Sequence, residues 1–560
     1  MTYKQKRRPA AGRTMCLLAG TMIAGLAGIA PASAADWKFG NIDVNLKSTV
    51  SAGLGVRTVD PDGDLISFLN GGRDTNVAAE NFDDGNLNFK RGDIFTASTR
   101  MLHELDMSWE NYGAFVSVSY FYDFVNNDAD STRRTDLSSA ARSQAGRGFD
   151  LYDAYVYGDF DVAGMPLTVR GGNQVINWGE ALFRPGGINQ TNAVDVSRLV
   201  TPGTNIREGY LPSPMIYANI APLPGFSLEA YYQFLWRNTE LVPVGTFHST
   251  EDILGEGAQG FFFAGDPGGV GYPAAIASGI PKLADDEPND SGQYGVAARY
   301  FIDSLATETS LYYLNYHAKT PYLSATGSCF AVFLGTCLFA APTGYYAYFP
   351  EDIDLYGASV SFPLGPVAVG AEVAYQPDFP LMLDDALTAA TTAASASLGT
   401  SRVDGVTYAD RMNYIANAAV TVAPSLPYIG QVPGWIGADT IDLYGEVGVV
   451  TFDETPVGVS GSESAWGFTT SASAVYSNVF VSGLKLTPSI SFNCDVNGTA
   501  LDRSVSGTPV EGKRAVSIGV SADYRSTYTA SIQYTNNIGG GLIARNSDRD
   551  FVTVTASYSF

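Results

Sequence analysis

Apolar and polar residues alternate with a period of two along most of this chain, which predicts strands with one apolar and one polar face. The last ten residues show the pattern most plainly. Val552, Val554, Ala556, Tyr558 and Phe560 share one face, whereas hydroxyl residues occupy the other. Segments of this kind recur along the chain, and the pattern is weakest at 413–423, so we predict about 18 strands with 16 as the fallback. The predicted strands are 41–56, 92–107, 111–125, 149–160, 166–174, 213–221, 225–236, 292–302, 306–317, 352–361, 366–376, 413–423, 441–452, 464–477, 480–492, 513–524, 527–537 and 550–560.

Short and long connections alternate between these segments. The short ones are 110–111, 161–165, 222–225, 303–305, 363–365, 478–479 and 525–526, and only the Pro-rich link 424–440 breaks the alternation. The long ones are 57–91, 126–148, 175–212, 237–291, 318–351, 377–412, 453–463, 493–512 and 538–549. This predicts an all-β protein, a transmembrane antiparallel β-barrel with short periplasmic turns and long extracellular loops. A secreted repeat protein such as a propeller would need a fixed-period motif, which the chain lacks.

The N-terminus has the features of a secretory signal peptide. Basic residues precede an apolar run at 15–29, which is too short to span a bilayer, and Ala32-Ser33-Ala34 offers small residues for cleavage. We therefore predict that 1–34 is a signal peptide and that the mature chain starts at Ala35 or Asp36.

The C-terminus carries a second export feature. Tyr558 and Phe560 form the aromatic ending that the barrel-assembly machinery reads. Residues 35–560 are then predicted to form a single barrel in the outer membrane of a Gram-negative bacterium, surrounded by lipid and lipopolysaccharide.

Composition and charge narrow the function further. Only 16% of the residues are charged, and Gly (60), Tyr (32) and Phe (30) are abundant, which suits many short amphipathic strands. The leader holds five of the 33 basic residues and no acid, so 28 basic and 57 acidic residues remain, a net charge of −29. This charge argues against nucleic acid as a partner, and against a dedicated anion channel unless a local basic cluster overrides it.

No arrangement of residues predicts catalysis, a cofactor or a metal. The only histidines are His103, His248 and His317, and there is no zinc motif, phosphate loop or Gly-x-Ser-x-Gly sequence. His248 precedes Ser249, but a satisfied polar loop histidine is the better interpretation. The acidic runs 60–64 and 126–130 lack the full ligand set of a calcium loop and are predicted to be solvated turns.

Three cysteines remain after the leader. Cys329 and Cys337 lie close together in one loop, where they either pair in an oxidising compartment or pack as two apolar thiols. Cys494 is left single.

The long connection 175–212 is the best candidate for a functional element. Folded inward, its charges of both signs would line a constriction across the pore; folded outward, they would form weak surface ion pairs. We favour the inward arrangement, and we expect Asn192 to cap a short helix over 193–200. The constriction candidates are Trp178, Glu180, Arg184, Asp195, Arg198, Arg207 and Glu208.

Several outer loops are unusually apolar, at 65–69, 261–263, 330–349 and 379–383. Exposed apolar surface usually contacts something hydrophobic. These loops are predicted to collect an oily solute or, as the alternative, to pack on one another as a lid. The low-complexity stretch 386–400 is predicted to be a short helix or a mobile segment.

Short motifs resemble those of the domain-of-unknown-function 1302 (DUF1302) outer-membrane proteins. They are Gly172-Asn173-Gln174 through Trp178-Gly179-Glu180 to Asp195 and Pro212, Phe121-Tyr122-Asp123, and Gly370-Ala371-Glu372 running to Pro380. The resemblance implies a proteobacterial barrel, often encoded beside a periplasmic lipid-binding-type protein and genes for sterol, hydrocarbon or polyester breakdown. It transfers no ligand or catalytic residue to this chain.

These observations lead to a first functional hypothesis and two alternatives. The first is an outer-membrane transporter for passive uptake of a hydrophobic or amphipathic small molecule, with a periplasmic lipid-binding-type protein as a candidate partner. The second is a general porin for small polar or cationic solutes. The third is a structural barrel or an outer-membrane enzyme.

Overall fold

The computed structural model describes residues 35–76, 78–128, 132, 136–262, 279–503 and 508–560. The expected signal peptide, Phe263 and part of the acidic run 126–130 lie outside these residues. Within the described ranges, no helix has the length and apolar character needed to cross a membrane.

Eighteen antiparallel strands close into one barrel. Each strand pairs with the barrel strands that precede and follow it, and β26 pairs with β2 from Arg57↔Phe551 to Thr49↔Ser559, which closes the ring. The first strand, β1 (Ala35–Phe39), pairs with the start of β2 and is not part of the ring. The barrel strands are β2 (Ile42–Arg57), β3 (Ile94–Trp109), β4 (Tyr112–Asp123), β5 (Arg147–Val162), β6 (Met165–Gln174), β9 (Ser213–Leu223), β10 (Phe226–Gln233), β13 (Tyr294–Ile302), β14 (Thr307–Tyr316), β17 (Ile353–Leu364), β18 (Val367–Met382), β20 (Val406–Val422), β21 (Thr440–Phe452), β22 (Ser464–Ser477), β23 (Leu484–Asn497), β24 (Arg514–Tyr524), β25 (Tyr528–Ile538) and β26 (Phe551–Ser559).

The predicted fold is therefore confirmed. Each of the 18 predicted strands has a counterpart, including the weakest, 413–423, which corresponds to the second half of β20 and extends one residue past its end. As predicted, short links alternate with long ones, so the barrel has a turn end and a loop end. The link 423–439 is the longest at the turn end and contains a four-residue helix, Val432–Trp435.

The outer surface of the barrel follows from the alternation of side chains along each strand. In β4, Tyr112, Val116 and Tyr120 point outward, whereas Ser117 and Phe121 point into the barrel. Aromatic rings form a belt near each end of this outer surface. The turn-end belt includes Trp109, Tyr112 and Phe160, with ring centroids 5.9 Å apart. The loop-end belt includes Tyr294, Tyr313, Tyr356 and Tyr375, with successive centroids 6.0, 5.2 and 6.4 Å apart.

Most of the smaller elements lie at the loop end, whereas the helix Val432–Trp435 and the 3₁₀ turn Asp303–Leu305 lie in links at the turn end. The strands outside the barrel ring that follow β1 are β7 (Ala193–Val194), β8 (Tyr210–Leu211), β11 (Gly260–Phe261), β12 (Ile280–Pro281), β15 (Tyr322–Phe333), β16 (Thr336–Tyr348) and β19 (Thr400–Val403). The α-helices of the described residues are α1 (Asp84–Asn88), α2 (Ser139–Ala145), α3 (Val196–Leu199), α4 (Ala386–Ser397), α5 (Val432–Trp435) and α6 (Gly541–Ala544). The 3₁₀ turns are Gly63–Leu65, Phe68–Asn70, Ala79–Phe82, Ile206–Gly209 and Asp303–Leu305.

A three-stranded sheet of β16, β15 and β19 stands beside the barrel mouth, and α4 packs against it. The buried Ala390 and Ala394 of α4 let the helix lie close to the sheet, and Asp385 caps its first turn by accepting from the N–H of Thr388. The low-complexity stretch 386–400 thus supplies a helix and the start of β19.

Several boundary predictions are wrong for local reasons. The strand predicted at 225–236 ends at Gln233, and Trp236 lies beyond it, where its ring packs on Phe349 and its Nε1 donates to the carbonyl of Ala318 at 3.1 Å. The strand predicted at 480–492 is observed at Leu484–Asn497, because the link 478–483 is a longer turn than expected.

Two of the loops predicted to be exposed and apolar are in fact buried. Phe379 (5% exposed) and Leu381 (0%) belong to β18, which continues past its predicted end. Phe261 and Phe262 are also buried. Of the four predicted apolar loops, 65–69 keeps Phe68 and Leu69 exposed, and the tip of the β15–β16 hairpin is the most exposed, with Leu334 at 88%.

Candidate solute pathway inside the barrel

The connection 175–212, here called the crossing segment, is held by two carboxylates of the barrel wall. Glu372 of β18 and Glu446 of β21 lie at inward positions, because Val373 and Val447 beside them point outward. Glu372 accepts hydrogen bonds from the backbone N–H groups of residues 180, 181 and 188. Glu446 accepts from those of residues 182, 183 and 184. Six amides of the segment are thereby fixed to the wall.

Arg184 carries the segment to the opposite wall. Its guanidinium donates to Asp495 of β23 at 2.8 Å, and both side chains are buried. The segment leaves the wall at β6, and β21 and β23 are eight and ten strands further round a ring of 18. The chain between Gln174 and Arg184 therefore crosses the diameter of the barrel.

The start of the segment is fixed by Trp178. The indole packs between Tyr231 and Tyr312, with ring centroids at 5.1 and 5.7 Å, and is 2% exposed. Its Nε1 donates to Glu229 of β10 at 2.8 Å, and Glu229 also accepts from Arg299 at 2.7 Å. This contact satisfies the indole N–H inside an otherwise apolar cluster.

The end of the segment returns along the near wall. Asp195 caps α3 by accepting from the N–H of Arg198 at 2.8 Å, and the Arg198 guanidinium lies 3.6 Å from the centroid of the Phe121 ring. Arg198 also contacts Asp150 of β5 at 3.2 Å. The carbonyl of Gly203 accepts from Ser51 of β2 at 2.8 Å.

The last two candidates contact β3. Glu208 completes a capping box with Asn205 and pairs with Arg100 at 2.9 Å, and both charged groups are buried. Arg207 is exposed and pairs with Glu104 at 2.9 Å.

The structure thus divides the seven sequence candidates into two groups. Trp178, Glu180 and Arg184 lie where the segment crosses the barrel, whereas Asp195, Arg198, Arg207 and Glu208 lie near β3–β5. Ion pairs to the wall neutralise most of their charges. The predicted cap is wrong: Asp195 caps the helix, and Asn192 instead exchanges hydrogen bonds with the backbone of Ile176.

A cavity of about 380 Å³ lies between the crossing segment and the loop end of the barrel. One side is apolar and aromatic, formed by Tyr316, Tyr322, Ile353 and Phe379. The cations of its lining are Arg184, Lys319 and Arg411. Arg411 is neutralised by Asp502 at 2.8 Å and stacks on Phe379. The volume is within the range of small-molecule sites.

A family model described as "Protein of unknown function (DUF1302)" matches residues 14–560, nearly the whole chain. The chain belongs to the DUF1302 family. The resemblance seen in the sequence motifs is therefore confirmed. No curated protein matches this DUF1302 chain.

Solved structures resemble the DUF1302 chain in fold. The outer membrane channel DcaP of Acinetobacter baumannii is 10% identical, with 94% of this chain and 100% of that chain covered and a TM-score of 0.37. OccAB2 of Acinetobacter baumannii is 7% identical (92% and 98% covered, TM-score 0.42), and the outer membrane protein opdK of Pseudomonas aeruginosa is 10% identical (92% and 98%, TM-score 0.42). Similarity at this level is too low to assign a solute to the DUF1302 chain.

Three residues of the DUF1302 pathway are not evident from sequence alone. Glu372 appears there only within a family motif, and Glu446 and Lys319 do not stand out. A sequence feature that could have identified Glu372 and Glu446 is that each is an ionisable residue at an inward position of an otherwise apolar strand. Lys319 follows a strand and carries no such signal.

The only histidine beside a serine does not form a catalytic pair. The His248 ring is buried among Phe95, Phe247 and Phe551, and its Nε2 has no hydrogen-bond partner among the residues that the structure describes. The expectation of a satisfied polar histidine is therefore wrong. Ser249 donates its hydroxyl to the carbonyl of Glu251 at 2.7 Å, so His248 does not activate it.

Three buried carboxylates meet where two outer loops of the DUF1302 chain touch. One oxygen each of Asp83, Asp84 and Asp252 lies within 4.8 Å of the others, a set that offers hard oxygen ligands to a cation. Burial and the carboxylates of Asp84 and Asp83 hold the pKa of Asp252 well above its usual range. The acidic run 60–64 is different: Asp62 and Asp64 are exposed and pair with Arg73.

The remaining sequence candidates lie away from the cavity. A disulfide joins Cys329 to Cys337 across the β15–β16 hairpin, with a Cα–Cα distance of 6.0 Å, and Cys494, the third described cysteine, is buried and pairs with neither of them. Tyr558 stacks between Tyr528 and Phe560 at the turn end, with ring centroids 4.9 and 5.2 Å away.

Proposed function

We propose that this protein is an outer-membrane channel for the passive uptake of hydrophobic or amphipathic small molecules, and that the crossing segment constricts it. The observation that carries the proposal is the segment itself. It is fixed at Glu372 and Glu446 across the barrel diameter, beneath a cavity that is lined by both aromatic and cationic side chains.

The outer surface supports a location in the outer membrane. Tyr112 and Tyr122 are outward residues near opposite ends of β4. Ten residues at about 3.4 Å each, on a strand tilted by about 40°, span about 26 Å along the barrel axis. This matches the apolar band of about 25 Å that bacterial outer-membrane barrels present to lipid. The turn end then faces the periplasm and the loop end faces outward.

The β15–β16 hairpin supports capture of an apolar solute. Residues 322–348 contain no charged side chain, and Phe330, Phe333, Leu334 and Leu338 are exposed at its tip. Covering such surface gains about 25 cal/mol per Å², so a small patch is enough for weak capture. The disulfide between Cys329 and Cys337 holds the tip in shape.

The same proposal assigns export to the N-terminal segment and barrel assembly to the C-terminal segment. Residues 1–34 are removed as a signal peptide, and Tyr558 with Phe560 is read by the barrel-assembly machinery. A periplasmic lipid-binding-type protein receives the solute at the turn end, where Tyr428 (95% exposed) and Trp435 (72%) offer apolar surface.

The proposal is tested by releasing the crossing segment. In a Glu372→Ala, Glu446→Ala double variant, six backbone amides lose their acceptors, each loss weakening the attachment by about 1–3 kcal/mol. We expect single-channel conductance in planar bilayers to rise at least twofold. Gln533→Ala is the matched control, because Gln533 lies on β25 and donates to Thr535 of the same strand.

Hydrogen exchange of residues 179–188 verifies that the segment has been released. Faster exchange with unchanged conductance would show that the segment does not constrict the pathway.

A further inference from the structure

Lys319 differs from the other two cations of the cavity. Arg184 and Arg411 are each paired with a buried carboxylate, Asp495 and Asp502. Among the described residues, no carboxylate lies within ion-pair distance of Lys319, whose Nζ donates to the neutral Gln293 side chain at 2.9 Å. Lys319 is therefore the one cation of the described cavity lining that has no carboxylate partner.

The surroundings hold Lys319 in place. Gln293 is fully buried and also accepts from the N–H of His317 at 3.4 Å. The carbonyl of Lys319 accepts from the N–H of Thr239 at 2.7 Å. The ammonium group therefore sits at a fixed point of the cavity wall.

Next to the charged Lys319, the cavity has an apolar lining. Tyr316, Tyr322, Ile353 and Phe379 supply an apolar surface within the same cavity. A solute that satisfies both features has an apolar body and one anionic head group. A carboxylate forms a charge-assisted hydrogen bond with an ammonium group, and it carries the single negative charge that one ammonium offsets.

We propose that Lys319 binds the carboxylate of an amphipathic monocarboxylic acid whose apolar body lies against Tyr316, Tyr322 and Phe379. This names the solute class of the proposed channel and rests on that function. The site lies directly above the crossing segment, so the acid is held with its head group fixed before it passes the constriction.

The protonation of Lys319 is consistent with this assignment. Loss of water around the ammonium lowers the pKa of Lys319 to about 7, and no charge in the described part of the chain offsets that effect. A bound carboxylate would raise the pKa again, since an adjacent negative charge stabilises the charged form. The site therefore gains a full ion pair only when an anionic solute is present.

The test compares 4-phenylbutyrate with 4-phenylbutyramide, which have nearly the same shape and differ in charge. Binding to the purified full-length barrel is measured by calorimetry, and influx is measured in proteoliposomes at zero membrane potential. We expect the carboxylate to bind about tenfold more tightly than the amide. Lys319→Met should abolish this preference, and Lys319→Arg should retain most of it.

Lys282→Met is the matched control, because Lys282 is an outer-loop lysine already paired with Asp285 at 2.9 Å. It should leave the preference unchanged, and the heat-modified gel shift of each variant verifies folding. Equal affinity for acid and amide in the wild type, or an intact preference in Lys319→Met, would overturn the assignment while leaving the channel in place. If neither compound enters wild-type proteoliposomes, the proposed function itself fails.

Discussion

Glu372 shows what can be inferred for one residue and what cannot. Its alternation with Val373 places it inside the barrel, and a carboxylate there needs water or hydrogen-bond donors. The donors are backbone amides 184 and 191 positions earlier, and no local pattern specifies that contact. The approach also needs a residue without a side chain, since a Cβ on Gly187 would lie 1.9 Å from Glu372 Oε1.

The variant Gly187→Ala therefore tests the contact between Glu372 and the crossing segment by adding one methyl group. The added methyl group displaces the carboxylate from the amides of residues 181 and 188. A hydrogen bond to a charged group contributes about 1.5–3 kcal/mol, so their exchange should accelerate by about 10- to 100-fold. Gly171→Ala is the control, because a Cβ there meets no atom of the described ranges within 4 Å. Equal exchange rates in the two variants would show that the carboxylate adapts.

His248 makes the outer aromatic cluster sensitive to acid. Burial among aromatic rings, with Arg549 nearby, lowers the pKa of His248 to about 3. The unfolded loop takes up the proton near pH 6.5, whereas the folded loop resists it, so stability is complete above pH 6.5 and falls as pH drops toward 3. Hydrogen exchange of residues 247–249 should reveal local opening that grows up to about tenfold per pH unit below 6.5. His248→Phe should remove most of that slope, and an unchanged slope would place the acid sensitivity elsewhere.

At the scale of elements, β18 shows why strand existence is easier to predict than strand length. Its predicted end, residue 376, lies directly before Pro377, and proline is rare inside the central strands of a sheet. The strand instead passes through a bulge between Gln376 and Phe379, with Asp378 at φ 45°, and continues to Met382. The bulge re-aims Phe379 into the core, where it stacks beneath Arg411. The sequence pattern alone does not distinguish such a bulge from the end of a strand.

The exposed tip of the β15–β16 hairpin leads to a prediction about solute capture. A Phe333→Asp, Leu334→Asp variant places two charges on the exposed tip and removes its apolar surface. Uptake of a hydrophobic solute at limiting concentration should fall about tenfold, the effect of about 1.4 kcal/mol of lost capture energy. Conductance to potassium chloride should not change. Val457→Asp, at a site 98% exposed in another outer loop, is the control. Equal uptake in all three proteins would show that the tip does not collect solute.

At the scale of the whole molecule, strand number and closure follow from alternation, whereas the filling of the lumen does not. The terminal strand pairs with β2 because both present an apolar outer face in the same register. The course of the crossing segment depends on single inward residues from distant strands, such as Glu229, Glu446 and Asp495. A barrel with the same outer pattern and other inward residues would be equally consistent with the alternation.

The net charge leads to a prediction for the complete channel. Residues 35–560 carry −29, and the outer faces of the strands are apolar, so this charge lies in the lumen, loops and turns. We expect reversal potentials to show several-fold preference for K⁺ over Cl⁻ near 0.1 M salt. The preference should shrink at 1 M, because the Debye length falls from about 10 Å to about 3 Å.

Anion preference at low salt would contradict this distribution of charge. The same field repels a carboxylate solute at the mouth, so passage of an acid requires a local positive charge that offsets it. Lys319→Met should therefore raise the K⁺ preference and lower the flux of 4-phenylbutyrate together, whereas Lys282→Met should change neither. If Lys319→Met changed only the K⁺ preference or only the flux of 4-phenylbutyrate, Lys319 would lie outside the path that ions and the acid share.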